Sequence, residues 1–367
     1  MGTALTRPRL AAEHSGCMTP VPEPVGATRK REQREALLGT SGSRLPIGVI
    51  LPTLNVRVAL PEHLAQMRSW LGLVEEVVVV DSFSTDGTFE LLQAELHHPR
   101  LRVFQRPPGL YQAWNYGIER LTARFAYIST VGDPITAEGL QHLAATAEDL
   151  RSDVVISRPE LLDAAGRPMT DKRWPIDNLL DWCAPRQPLR VEPWRAFAAT
   201  MLNVPEGILG SSASNLYRTA TIQRFPFQPE YGHEADTAWA IAHALDVSWA
   251  LTPRVSSKFT FHSGAGLLSV EQLAALKDSL LNLAHQTLRR YPGQASPAPV
   301  PEGLLPWLRE FPTAVENLRE CQRRYDQARH RLLPWSLNPA AWRARAQRNY
   351  WRARLLEIRT QILRWVA

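Results

Sequence analysis

VVVVDSFSTDGT, residues 77 to 88, is the stretch whose reading decides the fold. Four valines in a row make an apolar run of the kind buried on both faces of a parallel sheet, and the run stops at Asp81 in a loop of Ser, Thr, Asp and Gly. The segment reads as a strand ending in a polar loop, with a helix over Thr88–Leu96. Ligands of open parallel sheets bind beyond the carboxyl ends of the strands, which places Asp81, Ser82, Ser84 and Asp86 where a small molecule sits.

Working outward, IGVILPT (47–53) is a strand stopped near Pro52. A helix from about Pro61 to Leu73 follows, with Leu64, Met67 and Leu71 at helical spacing and Pro61 in the first turn. Strand, helix and strand imply right-handed parallel units. Downstream, LRVF (101–104) is a third strand, and Gly109–Ala123 is a helix whose Ala113, Gly117 and Leu121 give it a small face able to lie tightly on a sheet. FAYIST (125–130) is a fourth strand, ending in Val131, Gly132, Asp133 and Pro134, again a carboxylate at a strand's carboxyl end. A helix over about Ala137–Leu150 leads to the strand VVIS (154–157).

Beyond this the alternation fails. Residues 158–209, rich in Pro and Trp, read as an irregular insertion beside the site, where Trp174, Trp182 and Trp194 can fill core or stack on an acceptor sugar. Residues 210–217 and 225–230 read as short strands or loops, Asp236–Leu245 as a helix, and 247–262 as extended. From about Val270 the chain is helical, with breaks expected at 292–312 and 334–339. The expected organisation is a disordered basic arm over 1–44, one α/β domain over 45–268, and a helical C-terminal extension over 269–367.

Composition narrows the class. The 367 residues are 44% hydrophobic, ample for a sizeable core, and the three cysteines (Cys17, Cys183, Cys321) are far apart with no ligand spacing, as in a chain kept reduced in the cytoplasm. No apolar run approaches membrane-spanning length, and no secretory leader is recognisable. The net charge is +6, but residues 1–44 hold 7 basic and 4 acidic residues and residues 313–367 hold 12 and 4, leaving 23 and 28 in the body. A mildly acidic body with basic ends argues against a nucleic-acid footprint on the core.

A nucleotide-sugar site needs acceptors for base and ribose, a divalent cation for the diphosphate, and a carboxylate to take the acceptor's proton. Asp81 and Asp86 follow one strand, Asp133 follows another, and Glu234 with Asp236 opens a later helix. In the same places LPTLN (51–55) reads as P-T-x-N and VVDSFSTDGT (79–88) as V-V-D-x-x-S-x-D-G-T. GLYQAWNYGI (109–118) with YISTVGD (127–133) reads as G-x-Y-D-A-x-N-x-G-I and N-S-G-D. With these motifs, over about residues 45–265, the chain resembles the inverting glycosyltransferases of family 2, and among them the enzymes of exopolysaccharide and lipopolysaccharide assembly.

The resemblance implies a GT-A fold, a Rossmann-like, mostly parallel α/β sheet flanked by helices, and a nucleotide-diphosphate sugar donor. Thr53 and Asn55 would line the nucleotide site, Asp81 would accept from the base, Ser84 and Asp86 would shape the loop, and Asn115 would sit near the diphosphate. Asp133 stands for the last Asp of the metal-binding D-x-D, holding Mn²⁺ or Mg²⁺. Asp236 stands for the catalytic base, and His262 in FTFHSGAG for the late His that reaches metal or diphosphate. The chain departs from the pattern in having one carboxylate over Thr130–Asp133, Gln112 where the subgroup has Asp, and Tyr116 where it has Lys. The acceptor implied is a glycan or lipid-linked sugar; a GT-A module that only binds a glycan or partner is the alternative.

The tail adds a membrane question. Trp351, Leu355, Ile358, Ile362 and Trp365 share one face of a helix rich in Arg (345, 348, 352, 354, 359, 364). Such a helix suits an anionic membrane surface, making the chain peripheral on the inner face of a membrane, or else packs on the body or a second subunit in an oligomer; packing is favoured.

Overall fold

The computed structural model describes residues 44–261, 268–291, 299–329 and 339–366. The expected basic arm and His262 lie outside these residues. Strand β1 (Leu45–Thr53) and helix α1 (Leu60–Met67) precede β2 (Val74–Asp81), α2 (Thr88–Glu95), β3 (Leu101–Gln105), α3 (Leu110–Ile118), β4 (Phe125–Ile128), α4 (Ala137–Asp149) and β5 (Val154–Ser157). Then come β6 (Glu160–Leu162), α5 (Pro175–Cys183), β7 (Leu189–Val191), α6 (Pro193–Asn203), β8 (Asn215–Arg218), α7 (Thr219–Arg224), α8 (Ala235–His243), β9 (Trp249–Thr252) and β10 (Lys258–Thr260). Helices α9 (Val270–Arg290), α10 (Leu305–Arg329) and α11 (Pro339–Val366) complete the described chain.

The main sheet has the order β3-β2-β1-β4-β8-β5-β9-β7, and β6 pairs with β10 in a small second sheet. Only β8 and β7 run against the other six strands, so the sheet is mostly parallel as expected. The pleat sorts the side chains into two layers. Val77 and Val79 join Ile47, Val49, Leu51, Phe125 and Tyr127 under α1 and α4, while Val78 and Val80 join Ile50, Ala126 and Ile128 under α3, α6 and α8. All four valines are fully buried, each contributing on the order of 2 kcal/mol by area removed from water. Gly117 lets α3 touch the sheet: a Cβ there would stand 2.7 Å from Ile50 Cγ2.

Several boundaries differ from expectation for identifiable reasons. Helix α1 stops at Met67, and Leu71–Leu73 forms a 3₁₀ turn, because the Trp70 indole N–H is drawn inward to Ile135 O at 3.1 Å. Helix α3 stops at Ile118 because buried Glu76 takes the N–H groups of Thr122 and Ala123, each at 2.6 Å. The segment 158–209 is not irregular: it contains β6, α5, β7 and α6. Both helices start on a proline, Pro175 and Pro193, a residue whose missing N–H does no harm in a first turn. Residues 229–234 form a 3₁₀ turn, overlapping the end of 225–230, where short strands or loops are expected. Helix α10 starts inside the expected 292–312 break and carries Pro312 in its interior, held by the burial of Leu308, Phe311 and Ala314.

The helical extension shares the body's core. Leu280 and Ala284 of α9, Leu308 of α10, and Ile358 and Ile362 of α11 are fully buried in the same cluster as α3 and α8. The Ile358 face of the tail helix therefore packs on protein.

Candidate active site

Four of the residues chosen from sequence meet in one hydrogen-bonded knot. The parallel register sets Thr53 beside Asp81 and Asp81 beside Gln105 at the carboxyl edge. Thr53 Oγ1 donates to Asp81 Oδ1 at 3.0 Å, as does Ser84 Oγ at 2.5 Å; Ser84 N–H and Gln105 Nε2 donate to Oδ2 at 3.0 and 3.1 Å. Asp81 is fully buried with both oxygens doubly engaged. Asn55, in the left-handed region at φ 52° that Asn tolerates, donates its N–H to Ser84 Oγ and accepts from Thr85 N–H, both at 2.9 Å. Asp86 accepts from Thr88 N–H and Oγ1 and from Arg57 N–H. The Thr88 hydroxyl and these N–H groups hold its carboxyl below the usual range. Leu54 and Phe83 stand half exposed on the rim.

Gln105 was not selected from the sequence, because the strand reading stopped at Phe104. Its signal is the register that puts it beside Asp81.

Asp133 lies just past β4 and is 6% exposed. The one hydrogen bond its carboxylate accepts among the described residues is from Thr260 N–H of β10, at 3.2 Å. Burial pushes its pKa up to about 7, against that single N–H. Nearby hydroxyls are paired with protein, Thr130 with Ser212 at 2.6 Å and Ser129 with His63 at 2.9 Å. Among the described residues no three His, Cys, Asp or Glu side chains cluster as a metal cage. The Asp133 donor set fits a hard cation in one respect: a carboxylate oxygen not used by protein among the described residues, at the strand ends, of the kind Mg²⁺ or Mn²⁺ combines with substrate phosphates.

Asp236 begins α8 and is partly buried. Thr237 N–H donates to its Oδ1 at 2.6 Å, and burial pushes its pKa up to about 7 against that donor, with the charge of Glu234 adding to the rise. Glu234 is itself raised by burial. Tyr111, in the first turn of α3, donates to His233 O at 3.1 Å. Asn115, one turn on, does not stand free for a phosphate: Nδ2 donates to Phe227 O at 2.7 Å and Oδ1 accepts from Phe227 N–H at 3.0 Å. The aromatic candidates divide, Trp194 being buried while Trp174 packs on Phe259 with ring centroids 4.7 Å apart.

A mostly parallel eight-stranded sheet flanked by helices, with an appended helical layer, is the GT-A fold. Residues 48–192 match the family model described as glycosyl transferase family 2. Among solved structures it is similar to residues 1–349 of TarS from S. aureus in complex with UDP-GlcNAc, at 18% identity and TM-score 0.53, covering 86% of this chain and 90% of that one. The same TarS segment with UDP gives 18% identity and TM-score 0.51 over the same shares. Of a longer TarS chain, 54% is covered, at 18% identity and TM-score 0.52. No curated protein matches the sequence.

Proposed function

We propose that the protein transfers a sugar from a nucleotide-diphosphate donor to a hydroxyl of a glycan or lipid-linked acceptor in cell-surface polysaccharide synthesis, with inversion at the anomeric carbon. The observation that carries this reading is Asp236, a half-buried carboxylate at the sheet's carboxyl edge with a pKa raised to about 7, where a general base is most effective. Asp236 takes the acceptor's proton as the acceptor oxygen bonds to the anomeric carbon. The bond to the diphosphate breaks on the opposite face and its electron pair leaves with the nucleotide; one displacement inverts the centre. UDP and UDP-GlcNAc complexes of the structurally similar TarS favour a UDP-sugar donor. The knot of Thr53, Asn55, Asp81 and Ser84 shapes the nucleotide side, with Asp81 facing the base. Asp133 is the protein ligand for Mn²⁺ or Mg²⁺, joined by His262 in the reading from motifs. When bound, the cation neutralises the charge developing on the leaving diphosphate.

The test is UDP release from a panel of UDP-sugars with and without Mn²⁺. Asp236→Asn should lower kcat by about 10²–10⁴ with UDP affinity kept, and Asp133→Ala should raise the Mn²⁺ concentration needed. Wild-type turnover in both variants would defeat the mechanism, and no UDP binding or release with any donor would leave the glycan-binding module.

We also propose a cytoplasmic protein held at the inner face of a membrane by α11, whose Arg343, Arg352, Arg359 and Leu356 are exposed while Ile358 is buried. No helix among the described residues is long and apolar enough to cross a membrane. Each basic residue near an anionic surface adds about 1 kcal/mol. Reversing those three arginines to Glu should release the protein from phosphatidylserine vesicles; binding unchanged by the reversal removes the idea.

A further inference from the structure

We infer that α3 is a latch on the segment carrying the candidate base, with Tyr111 and Asn115 as positioning residues for Asp236. The inference rests on the proposed role of Asp236. It departs from the role near the diphosphate that motif resemblance implies for Asn115.

The two side chains stand one helical turn apart, so they share a face of α3. That face meets the segment leading into α8 at two points. At the first, the Asn115 amide pairs with the Phe227 backbone in both directions, at 2.7 and 3.0 Å, as one peptide group pairs with another in a sheet. Phe227 is buried, its ring set among Tyr111, Trp114, Tyr217 and Trp239 at centroid distances of 5.5, 5.4, 6.0 and 5.7 Å. At the second, the Tyr111 hydroxyl donates to His233 O at 3.1 Å.

Between these points the chain supplies little packing of its own. The 3₁₀ turn over Pro229–Glu234 contains no buried side chain, and Gly232, at φ 61°, has open space where a Cβ would point. A turn without buried side chains keeps its place through its ends. The far end enters α8, whose Ala235, Thr237, Ala238 and Trp239 are buried in the core. Asp236 is thus held between a fixed helix and a turn tied at Phe227 and His233.

The same latch contributes to the carboxylate's surroundings. Asp236 is faced by Tyr111 from α3, Tyr217 from β8, Glu234 from the turn and the Thr237 N–H of its own helix. The Tyr111 hydroxyl faces Asp236 with its proton given to His233 O.

The experiment uses the full chain with Tyr111→Phe, Asn115→Ala, Asn115→Asp and Asp236→Asn, reading UDP affinity in Mn²⁺ by calorimetry, UDP release from UDP-GlcNAc, and backbone amide exchange. The latch requires a UDP Kd within about twofold of wild type and a kcat lower by about tenfold in Tyr111→Phe and more in Asn115→Ala, the size of losing one or two buried hydrogen bonds. Asn115→Asp, which still accepts from Phe227 N–H, should recover part of the loss. Exchange over 228–236 should quicken in both variants while β1 and β2 stay protected. A UDP Kd weakened tenfold with kcat unchanged in Asn115→Ala, or unchanged exchange over 228–236, overturns the latch. Wild-type turnover by Asp236→Asn instead overturns the base, and the exchange data still judge the latch.

Discussion

The two edges of the sheet treat buried carboxylates in opposite ways. On the amino edge, Glu76 accepts from Thr122 N–H and Oγ1 and from Ala123 N–H, and pairs with Arg102. Asp153 accepts from Ser248 N–H and Oγ, Thr221 Oγ1 and Arg218 Nε, at 2.9, 2.7, 2.9 and 3.1 Å. Burial alone would raise both groups, yet the donors and arginines hold each carboxyl below its usual range. On the carboxyl edge, Asp133 has a single N–H and Asp236 chiefly its neighbour's, and both rise to about 7. Of these four, each edge holds one buried and one half-buried carboxylate, and the number of donors differs. A fold that saturates carboxylates at one edge and leaves them short at the other has left acceptor capacity for a ligand there. Asp81 shows that position alone does not decide: it sits on the carboxyl edge and is saturated.

Removing the donors' reason for being there should break the amino edge most severely. Glu76→Ala leaves Arg102 and the N–H groups of Thr122 and buried Ala123 without that acceptor and should cost about 3–5 kcal/mol in urea unfolding, with turnover per folded molecule preserved. A cost below about 1 kcal/mol would show that the amino-edge pairing is not structural.

The pH dependence of stability separates the edges by sign. A carboxyl raised from about 3.9 unfolded to about 7 folded binds its proton more tightly in the folded state. Its contribution is full below pH 4 and is lost as pH rises through 7. Glu76 and Asp153, being lowered, contribute above the unfolded value and lose that contribution as the pH falls through their folded values. In protein free of metal and nucleotide, Asp133→Asn should therefore exceed wild type in stability at pH 8 by about 2–4 kcal/mol and match it near pH 4. Thermal melts across that range check it, and a gain that does not shrink toward pH 4 contradicts the assignment.

The smallest effect tests the intermediate case. Thr53→Val removes one of four donors to Asp81 and should cost about 1–2 kcal/mol while weakening UDP binding by calorimetry. Unchanged affinity would separate the knot from the nucleotide.

Much of the first half of the fold was legible because its signals are local. A valine run flanked by turn residues, a proline in a first helical turn and a small helix face at spacings of four each depend on a few neighbours. The segment 158–209 was misread because Pro175 and Pro193 look the same whether they break a helix or begin one; burial of the residues that follow decided it. Of the site, Asp81, Asp133 and Asp236 were identifiable as carboxylates next to elements, whereas Gln105 emerged only from strand register. Asn115 carries a recognisable motif position, but its partner Phe227 lies 112 residues away.

The sequence by itself determined the order of strands and helices through most of the domain, the polar loops after β1, β2 and β4, and the acids those loops bear, because periodicity and turn chemistry act over a few residues. Tertiary structure alone decided which acids are charged, since donors from distant segments outweigh burial at Glu76 and not at Asp133. It alone turned the Ile358 face of the tail helix inward, where contact with the core competes with any surface. It alone joined α3 to the turn before Asp236, a contact no local pattern encodes.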